Sequence, residues 1–252
     1  FRGDGSLEVA SVSATNIYEH SGVIHLVLAL DSGRLLRFGA PTIYPWSPYL
    51  PVAMASGQMD TDLQLEICVA GVTTLGCFDG ADFAEQWLVT MSGTPYALRS
   101  GELDGDLFPE LVVGSSGSLV FAFEGDTGWL KWRSPDPTTS YQLLDRVRLL
   151  NLQGDARQEV VASNAEGPGA PMTTYDGFSG LLVAGPWTAD VLSLDVPFAS
   201  PAPETLLVGQ ASGDIVAFDP LTGVAGAVVA SFPQSVAAIG IADFDRDGTL
   251  DI

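Results

Sequence analysis

A chain of 252 residues with 31 Asp and Glu against 10 Lys and Arg, a net charge of −21, and 46% apolar residues has ample material for a core. That charge repels phosphate backbones and anionic lipid, so it excludes nucleic acid and membrane surfaces as partners and favours cations or cationic partners. The aliphatic and aromatic content excludes disorder, and no run approaches the roughly 18 apolar residues of a membrane span.

The chain opens on Phe1-Arg2-Gly3-Asp4, without Met and without a signal-peptide pattern, so it is expected to be a window of a longer precursor. Alternating, β-branched runs follow in order: Leu7 to Val12, Val23 to Val27, Glu110 to Gly114, Glu159 to Ala162 and Ile215 to Phe218. Gly, Asp, Ser and Pro punctuate them at intervals of about ten residues, the pattern of an all-β sandwich, barrel or propeller. His20 and His25 are the only histidines, and His25 alternates onto one face of its strand in a structural setting. Gly114-Ser115-Ser116-Gly117 lies between strands and has the wrong spacing for a nucleophile turn, so it reads as a hairpin.

Repetition chooses among the β folds. An acidic residue opening an apolar strand recurs at Glu8, Glu66, Glu110, Glu159, Glu204 and Asp251, at separations of 58, 44, 49, 45 and 47 residues. A second feature keeps the same phase: an acid and a Gly turn at Leu30-Asp31-Ser32-Gly33, Phe78-Asp79-Gly80, Phe123-Glu124-Gly125, Tyr175-Asp176-Gly177 and Phe218-Asp219-Pro220-Leu221-Thr222-Gly223. Such periods in β-sequences predict a β-propeller of four-stranded antiparallel blades, about five in this window. The units run over 1–57, 58–101, 102–150, 151–194 and 195–242, with a further unit starting at 243–252, so a segment of a longer propeller is expected.

The stretches Asp243-Phe244-Asp245-Arg246-Asp247-Gly248-Thr249-Leu250-Asp251 and Glu102-Leu103-Asp104-Gly105-Asp106 through Gly114 resemble the FG-GAP/VCBS repeat of integrin-alpha-like β-propellers. The downstream Phe-Asp/Glu…Thr-Gly strands are more similar to blades of PQQ-type quinoprotein propellers. The resemblance implies blades that run strand, acidic loop, strand, strand, strand, which makes Val236 to Ala242 a first strand and Asp243 to Asp251 the loop into the second.

Calcium takes six to eight oxygen ligands, and acids on alternate loop positions supply them. Asp243, Asp245, Asp247 and Asp251 have that spacing, with Thr249 offering a carbonyl. Glu102, Asp104, Asp106 and Glu110 repeat it with Phe108 in the carbonyl position, and Asp60, Asp62 and Glu66 repeat it with Gln58 replacing the first acid. Asn151, Gln153, Asp155 and Glu159 keep two carboxylates, and prolines interrupt the stretch from Asp195 to Glu204. The competing expectation is that these turns only set blade register.

Cys68 and Cys77 fall on opposed positions of one hairpin, either as a cross-strand disulfide or as two buried thiols. Trp87, Trp129, Trp132 and Trp187 lie in or near outer strands, where aromatics pack blade on blade or stack on glycans. The insertion from Ala40 to Tyr49, with Tyr44, Trp46 and Tyr49, reads as a partner loop or an edge cover. The Arg2-Gly3-Asp4 tripeptide fits its own repeat and carries no adhesion argument.

These residues lead to an expectation of an extracellular or cell-surface propeller, the periplasm included. It is a calcium-stabilised scaffold for adhesion or architecture, meeting a protein or glycan. Two alternatives stand beside it: the propeller of a secreted enzyme, lyase or quinoprotein-like, and a self-assembling subunit of a surface filament or sheath. An enzyme would gather Arg, Lys or His at the central funnel, and Lys131 is the chain's only lysine.

Overall fold

The computed structural model describes residues 51–62, 64–106, 108–135, 144–155, 157–163, 170–189, 191–195 and 205–239, together with the strands over 12–20, 23–30, 34–37 and 43–45. It consists of five antiparallel sheets of four strands, each meandering in chain order. The first contains β1 Val12–His20, β2 Val23–Leu30, β3 Arg34–Arg37 and β4 Ile43–Pro45. The second contains β5 Pro51–Gly57, β6 Glu66–Gly71, β7 Thr74–Phe78 and β8 Glu85–Thr90. The third contains β9 Pro95–Gly101, β10 Glu110–Ser115, β11 Val120–Phe123 and β12 Leu130–Arg133. The fourth contains β13 Arg146–Leu150, β14 Glu159–Ser163, β15 Ala170–Tyr175 and β16 Leu182–Ala189. The fifth contains β17 Ser193–Asp195, β18 Leu206–Gly209, β19 Asp214–Asp219 and β20 Val224–Ser231. The first strands of successive sheets lie side by side, β1 against β5, β5 against β9, β9 against β13 and β13 against β17. This is the blade arrangement of a β-propeller, with first strands innermost.

Burial follows position in the blade. Every residue of the second strands β6, β10 and β14 is buried, whereas the outer strand β20 is exposed along nearly its whole length. A strand buried on both faces needs a continuous apolar run rather than alternation, as Leu111-Val112-Val113 supplies. Leu111 and Val113 pack with Leu75, Cys77 and Trp87 of the second blade, while Val112 between them packs with Val147 and Val160 of the fourth. Three of the core clusters are thus seams between neighbouring blades, whereas a smaller one, with Leu207, Ile215 and Val236, lies within the fifth blade and the segment that follows it.

Each acidic loop joins the first strand of a blade to its second, as at 58–65, 102–109 and 151–158, so the sequence repeat is offset from the sheets by one strand. One expected element differs. Of the strand expected over 236–242, residues 240–242 lie outside the described residues, and 236–239 are not in a strand, because the Val236 N–H donates to the Gln210 carbonyl and its own carbonyl accepts from Ser193 Oγ, which fastens the segment to the fifth blade. Tyr44 lies on the outer strand β4 at the edge of the first blade, paired with Leu35, while Trp46 and Tyr49 lie outside the described residues. No helix among the described residues is long and apolar enough to cross a membrane.

Candidate functional site: the acidic rim

The acidic loops share one internal scheme. In each, an acid at one position accepts the N–H two residues on: Asp60 Oδ1 from Asp62 and Asp62 Oδ1 from Gln64, at 2.8 and 2.6 Å. Asp104 Oδ1 accepts from Asp106 and Asp106 Oδ1 from Phe108, at 3.0 and 2.6 Å. Side-chain oxygens that cap the backbone two residues later make consecutive tight turns, so alternate spacing has a structural cause besides metal. The last acid is buried and closes the loop. Glu66 Oε2, Glu110 Oε2 and Glu159 Oε2 accept the N–H of Met59, Leu103 and Leu152, each seven residues earlier, at 2.5, 2.8 and 2.8 Å.

What meets the second oxygen of that buried carboxylate differs from blade to blade. In the fourth, Gln153 Nε2 donates to Glu159 Oε1 at 2.7 Å. In the third, the Lys131 ammonium lies 3.0 Å from Glu110 Oε1 and 3.1 Å from Glu124 Oε1, and also bonds Asp104 Oδ2. In the second, Glu66 Oε1 is fully buried and has no hydrogen-bond partner among the described residues. Burial pushes the Glu66 carboxyl up to about 7, with Asp60 and Asp62 adding to it against the pull of the Met59 N–H. Burial also raises Glu110, less than it would without Lys131. Asp104 is raised by burial but ends below the ordinary carboxylate range, because Lys131 holds its charged form.

Among the described residues, two groups of three carboxylates come within 4.8 Å of one another, Asp60 with Asp62 and Glu66, and Glu102 with Asp104 and Glu110. Calcium sits roughly 2.3–2.6 Å from each ligand, so oxygens up to about 5 Å apart can share one ion, and the second-blade group fits. Asp106 falls outside the third-blade group, and Asp243, Asp245, Asp247, Thr249 and Asp251 lie outside the described residues.

The rim also locks blade to blade. Trp87 on β8, Trp132 on β12 and Trp187 on β16 donate their indole N–H groups to the carbonyls of Gly125, Gly177 and Pro220 in the next blade's turn, at 2.8, 2.6 and 3.0 Å. Each ring lies against a turn glycine. A Cβ added at Gly128, Gly180 or Gly223 would sit 2.5 Å from a ring atom of Trp87, Trp132 or Trp187, and all three have φ near +70°. Phe83 takes that position in the second blade with φ 61°, where a side chain costs about 1–2 kcal/mol. Trp129 meets no such turn among the described residues and is 74% exposed.

Cys68 and Cys77 pair directly across β6 and β7 and are joined by a disulfide, both fully buried. The inner strands hold a feature that sequence reasoning missed. Arg99 on β9 and Arg148 on β13 occupy equivalent places, opposite Val112 and Val161, and each donates to the carbonyl just before it, of Leu98 and Val147. Arg148 Nε also reaches Asp195 Oδ1 of β17 at 3.3 Å. Burial, and then the charge of Arg148, pushes Arg99 down to about 10. The available signal was an Arg eleven residues before the closing Glu in both blades.

No family model matches the chain, and no curated protein matches it. Solved structures do. The chain is similar to BBS1N, solved in complex with ARL6DN, at 19% identity and a TM-score of 0.57 over 84% of this chain and 62% of that one. It is similar to BamB from Moraxella catarrhalis at 17% identity and a TM-score of 0.54, covering 86% of this chain and 66% of that one. It is also similar to Raptor from Chaetomium thermophilum at 12% identity and a TM-score of 0.65, over 94% of this chain and 22% of that one. The chain thus spans under two-thirds of each. At these identities the likeness defines the fold alone, an all-β propeller of four-stranded antiparallel blades.

Proposed function

We propose that this chain is a rigid binding or architectural propeller of FG-GAP/VCBS type. It is stabilised by calcium at its acidic rim, and it presents loops to a protein or glycan outside the cytoplasm. The observation that carries this reading is the interlocked rim. Loop carboxylates hold loop amides, tryptophans hold the next blade's turns, and a fully buried Glu66 oxygen beside Asp60 and Asp62 has no hydrogen-bond partner among the described residues. Interlocking of this kind makes a stiff display surface rather than a moving active site. The Cys68–Cys77 disulfide supports an oxidising compartment, cell surface or periplasm. BBS1N in its complex with ARL6DN is a propeller engaged with another protein, and it supports a protein partner here by analogy of fold only.

Calcium binding to the folded chain alone stabilises it by about 2.7 kcal/mol at a hundredfold excess over Kd, and a domain of this size gains roughly 2–4 °C per kcal/mol. Thermal unfolding in EDTA and in millimolar calcium chloride should therefore differ by roughly 5–10 °C per site. Superimposed curves would end the calcium reading.

A second reading, the propeller of a secreted enzyme acting on an acidic polysaccharide, is favoured by Arg99 and Arg148 on adjacent inner strands. Binding of polygalacturonate that is lost in Arg99→Ala would support it, and no binding by the wild type would retire it.

A further inference from the structure

We propose that the Lys131 ammonium is a built-in counter-ion, taking in loop 102–110 the place of the divalent cation that loop 58–66 binds. The inference rests on the calcium reading above and deepens it by assigning which loop exchanges its cation and which carries its own.

The two blades are superimposable in sequence at the residues that matter. Glu66 and Glu110 close their loops by the same bond, Asp60 and Asp104 stand six residues before them, and Trp87 and Trp132 dock the same way on the next blade. The residue just before the docking tryptophan is Gln86 in one blade and Lys131 in the other. Both reach the same carboxylate. Gln86 Nε2 donates to Asp60 Oδ2 at 2.8 Å, and Lys131 Nζ bonds Asp104 Oδ2. From that place the lysine also satisfies Glu110 Oε1 and Glu124 Oε1, whereas the neutral amide leaves Glu66 Oε1 fully buried and without a partner.

A buried carboxylate with one unpartnered oxygen, grouped within 4.8 Å of two more carboxylates, needs positive charge to stay ionised, and among the described residues no side chain of the second blade brings it. The amides in contact with that loop, Gln58 and Gln86, carry an oxygen as well as donors and can turn it inward when a cation arrives. An ammonium cannot, since it has donors only, and it repels a second cation. The fourth blade supplies the neutral solution, Gln153 on Glu159, and needs neither.

The test is calcium titration calorimetry on the full chain after chelation, comparing wild type, Asp60→Asn, Asp104→Asn and Lys131→Gln, with circular dichroism to follow folding. Asp60→Asn should bind one ion fewer than the wild type, Asp104→Asn the same number, and Lys131→Gln one more. Binding that disappears in Asp104→Asn and persists in Asp60→Asn leaves the calcium reading standing and overturns this inference. A folded Lys131→Gln chain that gains no ion also overturns it. A wild type that binds no calcium overturns the calcium reading and this inference with it. If Lys131→Gln unfolds in chelator, refolding on addition of calcium chloride supports the inference. If it stays unfolded in both, Asp104→Asn decides, an unchanged ion number in support and one fewer against.

Discussion

Loops 58–66 and 102–110 have one backbone design and opposite electrostatics. Each turns on chained carboxylate caps, and each ends on a glutamate whose first oxygen holds an amide seven residues back. They part at the second oxygen, bound by Lys131 in one and unpartnered in the other. The difference teaches that counting acids does not locate a cation site. The loop with more carboxylates, from Glu102 to Glu110, is met by the Lys131 ammonium, while in the sparser loop from Gln58 to Glu66 no described residue meets the buried Glu66 oxygen. A single residue on an outer strand, twenty or more positions from either loop's end, makes the distinction.

The comparison can be broken first at what the blades share. Trp87→Ala and Trp132→Ala should cost about 3–5 kcal/mol each in urea denaturation, and equally, because both remove a buried indole and its bond to the next blade. Unequal losses would place the difference in docking rather than in loop charge.

Lys131→Met comes next, at about 3 kcal/mol or more in chelator, because it strands Asp104, Glu110 and Glu124 around one spot. Calcium should restore part of that loss, which the same denaturation series measures. Glu66→Gln sharpens the contrast from the other side. It keeps the acceptor for the Met59 N–H and removes the unpaired charge, so in chelator it should change stability by no more than about 1 kcal/mol. In calcium it should lack the increment, roughly 2–3 kcal/mol, that the wild type gains at the second-blade site. The smallest effect is expected at Trp129→Ala, within about 0.5 kcal/mol, since that ring is exposed.

Much of the fold was legible because its signals are local and repeated. Glu-Leu-Val-Val at 110–113 reads as a strand buried on both faces, and the Phe-acid-Gly turns keep one phase with it. The opposed positions of Cys68 and Cys77 followed from a two-residue turn, and that register is present. The interblade role of Trp87, Trp132 and Trp187 was legible as a class, but the turn each one meets lies 33 to 45 residues onward and was not. Lys131 was noted only for its rarity, because its partners Asp104 and Glu110 converge on it through blade curvature that periodicity does not encode. Arg99 and Arg148 were missed for the same reason: they lie next to each other across two blades, not along the chain. The strand that the family's blade order implies at Val236 to Ala242 is absent from its described part, 236–239, where Val236 bonds sideways to Gln210 instead.

The most direct measurement is a crystal grown in calcium, with anomalous difference density read at both loops. A peak among the Asp60, Asp62 and Glu66 oxygens, together with Lys131 Nζ still held between Asp104 and Glu110, is the expected result. A peak inside loop 102–110 with Lys131 displaced, or calcium-bound crystals with no peak at Glu66, would contradict it.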